Sequence, residues 1–163
     1  MRTRLFLLLS VFALFPGEIF PDEYSIDQVS IHATINKDGT ITYKEQRTYT
    51  FDGVFSWASY TLPNNGFTEL TDISISDQSG SYIRENTENP GTFNITTNAR
   101  EINLKWYYEA QDETKEFTIR YTLHGALAIG PEWSEFYWNY ISDRWKEPTR
   151  EARIDIKIPD FIP

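Results

Sequence analysis

The chain has 163 residues, a formal net charge of −9 and no cysteine. That length suits one domain with one ordinary core, and the missing thiols exclude disulfide staples, cysteine nucleophiles and thiolate metal sites. The acidity argues against nucleic acid, whose phosphates need clustered Lys or Arg, and against docking on anionic lipid through a basic patch.

The N-terminus is a distinct unit. Arg2 and Arg4 precede an uncharged apolar run at residues 5–15 (LFLLLSVFALF), and Pro16, Gly17 and Glu18 end it. A basic start, a short apolar stretch and a return to polarity are the plan of a secretory signal. The run is short for a spanning helix, which needs about 20 apolar residues. No clean small-x-small triplet follows it, so an uncleaved N-terminal anchor is the second reading. The expected division is a leader over residues 1–20 and a single domain over residues 24–159.

Beyond the leader the dominant period is two. Val29, Ile31, Ala33 and Ile35 alternate with Ser30, His32 and Thr34. The sequence Asn36-Lys37-Asp38-Gly39 then marks a tight turn in which Gly39 supplies a positive φ. The following strand puts Ile41, Tyr43, Tyr49 and Phe51 on one face and Thr40, Thr42, Thr48 and Thr50 on the other, so the pair reads as an antiparallel hairpin. A shorter strand surrounds Ile73 and Ile75, and residues 77–91 form a polar excursion holding Tyr82 and Ile83. Further strands centre on Phe93 and Ile95, on Ile102, Leu104 and Trp106, and on Phe117, Ile119, Tyr121 and Leu123. The last has Ala152, Ile154, Ile156 and Ile158 facing in, with Arg153, Asp155 and Lys157 facing out. One helical turn is expected near residues 133–140. An aromatic content of 16% also suits strands. The fold class is all-β: an antiparallel β-sandwich of about seven or eight strands, immunoglobulin-like in the broad sense, with a closed barrel as the alternative.

An ordered set of motifs carries a family resemblance. A hydrophobic strand leads to Lys37-Asp38-Gly39, then to a strand holding Glu45, then to Tyr49-x-Phe51-Asp52-Gly53. An aromatic stretch closes on Tyr60-Thr61-Leu62-Pro63. Later come Phe117-Thr118-Ile119-Arg120-Tyr121, Tyr137-Trp138-Asn139 and a final strand ending in Ile158-Pro159. Over about residues 24–159 the chain resembles the extracytoplasmic N-terminal domain of predicted membrane proteins grouped as domain of unknown function 2207. The resemblance implies a leader before the domain, membrane-spanning segments after it and no assigned chemistry. The tether is then the N-terminal segment or a C-terminal span that these residues do not include.

Residues 132–145 are the richest constellation. Trp133, Phe136, Tyr137, Trp138, Tyr140 and Trp145 are interleaved with Glu132, Glu135, Asn139, Asp143 and Arg144. Rings that stack on sugar faces beside carboxylates and amides that bond hydroxyls make a glycan surface; the plainer reading is loop packing at the end of a sandwich. The candidate binding residues are Trp133, Tyr137, Trp138, Asn139, Asp143 and Trp145, extended by Trp57 and Tyr60 if the loops meet. Glu45 and Arg47 share a face with the core side chains, which reads as a structural ion pair, as a rim position after a bulge has switched faces, or as a ligand or proton site.

The acid pairs Glu132 with Glu135 and Glu109 with Asp112 would serve a glycosidase only if held about 5–10 Å apart in space, and nearby pairs are inevitable among 24 acidic residues. His32 and His124 do not sit at metal-ligand spacing. An oxygen-ligated calcium at Asp38, Asp52 or Asp143 lacks the twelve-residue loop pattern. Asn94-Ile95-Thr96 fits a glycosylation acceptor. No cofactor, transition metal or catalytic residue is expected. The leading expectation is a non-enzymatic extracytoplasmic domain that binds an envelope protein or senses at the envelope; the alternative is a carbohydrate-binding module or glycan-acting enzyme.

Overall fold

The computed structural model describes residues 22–138, 140 and 147–159. The leader, Asn139, Asp143, Arg144 and Trp145 lie outside the described residues. Twelve strands are present: β1 (Glu23–Ile35), β2 (Ile41–Asp52), β3 (Val54–Pro63), β4 (Glu69–Asp77), β5 (Gly80–Ser81), β6 (Ile83–Arg84), β7 (Thr92–Thr97), β8 (Glu101–Gln111), β9 (Thr114–His124), β10 (Ala128–Ile129), β11 (Ser134–Glu135) and β12 (Thr149–Lys157). Four of these are two-residue segments. No helix occurs among the described residues.

The strands form a six-stranded sheet in the order β12-β1-β2-β9-β4-β5, a four-stranded sheet in the order β3-β8-β7-β6 and the small β10-β11 hairpin. The β1–β2 hairpin is the expected one. Asp38 Oδ1 accepts from the Thr40 amide and hydroxyl, and Gly39 turns the chain at φ 82°, where a side chain would be strained. Period-two alternation along β2 is complete, with Ile41, Tyr43, Glu45, Arg47, Tyr49 and Phe51 all buried. The two sheets meet through a common core: Phe117 of β9 packs against Trp106 and Tyr108 of β8, with ring centroids 5.6 and 4.8 Å apart.

Four expectations are corrected. The pairing is mixed rather than wholly antiparallel, because β12 runs parallel to β1 and β6 parallel to β7. Among the described residues, 133–138 and 140 hold no helical turn; the hairpin β10–β11 occupies the start of that stretch. Val54–Pro63, read as an aromatic stretch, is a full strand. Finally, the isoleucines of β12 do share a face with the core, since Ile154 sits beside Ile31 and Ile156 beside Ala33. They are nevertheless 39% and 45% exposed. The cause is a mismatch between the sheets: the larger has two more strands than the smaller. Among the described residues, no strand lies over the inner side of β12.

The core is rich in phenols. Burial pushes Tyr43, Tyr60, Tyr108 and Tyr121 far above the usual tyrosine range, and the Glu45 carboxylate adds to this at Tyr60 and Tyr121. A phenol whose pKa is higher folded than unfolded stabilises the fold fully below the unfolded value of 10.0, and that contribution is lost as the pH rises past it. Alkaline titration followed at 295 nm should show these four ionising only together with loss of the strand circular dichroism. Ionisation of all ten tyrosines with the folded spectrum intact would contradict this.

Candidate functional site

Strand periodicity places Glu45 and Arg47, two residues apart, on the same inward face of β2. Each is 1% exposed. Arg47 donates to Glu45 Oε2 from Nη2 at 2.7 Å and from Nε at 3.2 Å. The other oxygen, Oε1, accepts from the hydroxyl of Tyr60 at 2.9 Å and from that of Tyr121 at 2.6 Å. Tyr121 comes from β9, next to β2 in the same sheet; Tyr60 comes from β3 in the facing sheet. The Arg47 guanidinium also lies over the Tyr60 ring, 4.0 Å from its centroid. Burial opposes the charge on Arg47, but the Glu45 carboxylate outweighs it and holds the guanidinium firmly protonated.

This arrangement is that of a structural carboxylate rather than an open one. Both oxygens of Glu45 are occupied by four donors, and a general base must reach the proton it abstracts. Of the readings of Glu45 and Arg47, the structure gives the buried ion pair, and at 1% exposure neither residue is a rim position.

Arg47 also borders a cavity of about 510 Å³. Tyr24, Ile26, Tyr49 and Phe51 of β1 and β2 form one wall, Phe55, Trp57 and Ala58 of β3 the other, and Tyr108 lines it from β8. Rings dominate: Phe55 lies 4.9 Å from Phe51 and 5.8 Å from Tyr24, and Phe51 lies 5.5 Å from Tyr108. The cavity runs along the free side of β3, which pairs with β8 alone among the described residues. No charged side chain occurs in Val54–Pro63.

The sequence-derived aromatic constellation divides. Trp133 is 52% and Tyr137 86% exposed. Trp138 is half-buried, stacked on Phe136 and 5.9 Å from Tyr43 and 6.1 Å from Phe67. Tyr140 also packs on Tyr43. Asn139, Asp143 and Trp145 lie outside the described residues. Tyr60 belongs to the core and so does not extend this surface, while Trp57 is half exposed with Lys105 Nζ 4.5 Å from its ring centroid. Among the described residues no cluster of His, Asp or Glu could hold a metal ion. His32 faces Asp155 across the β1–β12 seam at 3.5 Å, and His124 bonds the Thr71 hydroxyl at 2.9 Å.

The groove beside β3 was missed from the sequence because its strand was. Ala58, Tyr60 and Leu62 do alternate with Ser59 and Thr61, but a register shift between Phe55 and Trp57 breaks the period.

The family profile described as "Predicted membrane protein (DUF2207) N-terminal domain" matches residues 25–162. No curated protein matches. Among solved structures, an M1 zinc metallopeptidase from Deinococcus radiodurans bound to a Tyr-Ser-Ala substrate is similar at 12% identity and TM-score 0.38, over 72% of this chain and 24% of that one. A candidate protease from Parabacteroides distasonis is similar at 12% identity and TM-score 0.42, over 85% of this chain and 29% of that one. This chain therefore spans less than a third of either structure.

The four-donor account of Glu45 predicts that Tyr60→Phe and Tyr121→Phe each lower unfolding free energy by about 1.5–3 kcal/mol in urea, the range for hydrogen bonds to a charged group. Tyr137→Phe, on an exposed ring, should stay within about 0.5 kcal/mol. Equal effects at all three positions would contradict the account.

Proposed function

The chain belongs to the family of predicted membrane protein (DUF2207) N-terminal domains, and from that membership we propose a non-enzymatic, extracytoplasmic domain that binds an envelope polypeptide at the free edge of β3. One observation carries the reading: a full-length edge strand without charge lies beside an aromatic groove. Exposed strand edges invite pairing with other chains, and proteins usually blunt them with charges, prolines or short length. The β3 strand runs ten residues with no charge and reaches its proline only at the last position. An extended peptide that adds to such an edge gains main-chain hydrogen bonds, and its alternate side chains enter the pockets beneath. Here the pocket offered to them is the cavity walled by Tyr24, Phe51 and Phe55.

The apolar face of β12 supports the same reading. Ile154 and Ile156 are left open on the side where the smaller sheet falls short. A strand added beyond β3 extends the smaller sheet toward them. The non-enzymatic part rests on the closure of Glu45 by its four donors.

A photo-crosslinking residue at Ser56, exposed on β3, should form adducts with a defined envelope polypeptide in the producing cells. The same residue at Gln78, exposed in the β4–β5 turn, should form none. Ala58→Arg, which places a charge in the groove, should abolish the Ser56 adduct while leaving the melting curve cooperative. No adduct at Ser56, or equal adducts at both positions, would overturn the proposal.

A further inference from the structure

Register places several segments at one end of the domain. The β1–β2 turn closes there, β9 ends there with Leu123 beside Ile41, and β12 ends there with Lys157 beside Thr34. The β10–β11 hairpin, which follows β9, lies against the same turn: a side chain built at Gly39 would come within 3.9 Å of Ile129 Cδ1.

This hairpin and the segment just after it carry large apolar side chains that the core does not take. Ile129 is 59% exposed, Trp133 52% and Tyr137 86%. Trp133 is nonetheless held in place. Its indole lies on Gly130, where any Cβ would collide with the ring, and the Gly130 amide donates to the Trp133 carbonyl at 2.8 Å. Phe136 and Trp138, which flank Tyr137, are stacked and packed on the core. Tyr137 thus projects from an anchored segment. Ile158, just past β12, is 63% exposed.

We propose that this end of the domain seats in the interfacial layer of a lipid bilayer through Ile129, Trp133 and Tyr137. Trp and Tyr favour that layer because each joins an apolar ring to a polar group that stays hydrated. The bilayer fits the surface for two further reasons. The family consists of predicted membrane proteins of which this is the N-terminal domain, and a polypeptide continuing beyond β12 leaves from this same end. The charges here are mixed: Asp38, Glu132 and Glu135 accompany Lys37 and Lys157. Among the described residues there is no basic patch for anionic headgroups, so the attraction they offer is apolar and suits a zwitterionic surface. The groove beside β3 lies on the flank, and remains open to a partner when this end is seated.

The chain has no cysteine, so a single introduced one reports alone. Full-length protein carrying Tyr137→Cys and an environment-sensitive nitrobenzoxadiazole label is mixed with phosphatidylcholine vesicles. The expected result is a several-fold rise and blue shift of emission, unchanged by salt or by added anionic lipid. The same label at Gln78→Cys should not respond. Adding Ile129→Ser and Trp133→Ser to the Tyr137→Cys protein should remove the rise. A silent label at position 137 would overturn the proposal. So would equal responses at positions 137 and 78, which would mean that the leader alone carries the protein to the vesicle. A full rise in the protein lacking Ile129 and Trp133 would also overturn it.

Discussion

The two sheets of this domain are fastened by one carboxylate. Glu45 draws its donors from three strands in two sheets: Arg47 on its own strand, Tyr121 on the next, and Tyr60 across the core. A buried ion costs several kcal/mol to desolvate and is tolerated only when paired and fully hydrogen-bonded. The pairing geometry also fixes register. With side-chain period two, a one-residue slip of β2 would send Glu45 and Arg47 outward and leave both tyrosine hydroxyls buried without partners. Aromatic packing supplies the bulk of the burial, but rings accept many arrangements. The four directed bonds at Glu45 select one of them.

The position of this cluster also shapes what remains open. Arg47 reaches from Glu45 to the cavity wall, so the polar interior ends where the aromatic groove begins. Beyond that point the smaller sheet stops at β3 while the larger continues to β12. Among the described residues the mismatch leaves a free strand edge, an aromatic cavity and the exposed Ile154 and Ile156 on one flank. Exposed apolar surface of this kind is what the proposed polypeptide would cover. The aromatic hairpin lies at an end of the sandwich, distinct from that flank.

Much of the architecture was legible in the sequence, for physical reasons. Along β2 throughout, and along most of β1, β8 and β9, a period of two separates core from solvent, so strand positions and inward faces follow from the residues. The Asn36-Lys37-Asp38-Gly39 turn follows from its positive-φ glycine and its Asp side chain. The inward charges on β2 were visible too, because Glu45 and Arg47 interrupt an apolar face. Other features were hidden. Parallel pairing of β12 depends on where a distant segment returns, which no local pattern encodes. The exposure of Ile154 and Ile156 depends on the strand count of the opposite sheet. The register shift in β3 broke the period that would have shown that strand and its groove. The 132–145 constellation was legible as aromatic, but not that Trp138 would face the core while Trp133 and Tyr137 face solvent, since alternation in a short hairpin sets this residue by residue.

The central claim is that the Glu45–Arg47 pair acts as a unit within a saturated buried cluster. A double-mutant cycle tests it most directly. Glu45→Leu alone removes the carboxylate that holds the buried Arg47 guanidinium, and Arg47→Met alone leaves the Glu45 carboxylate buried without the guanidinium; each should cost about 3–5 kcal/mol in equilibrium unfolding. Combined, the two substitutions replace the pair with apolar volume and should cost much less than the sum of the single effects. Strictly additive losses would contradict the account, since they would mean that neither charge depends on the other.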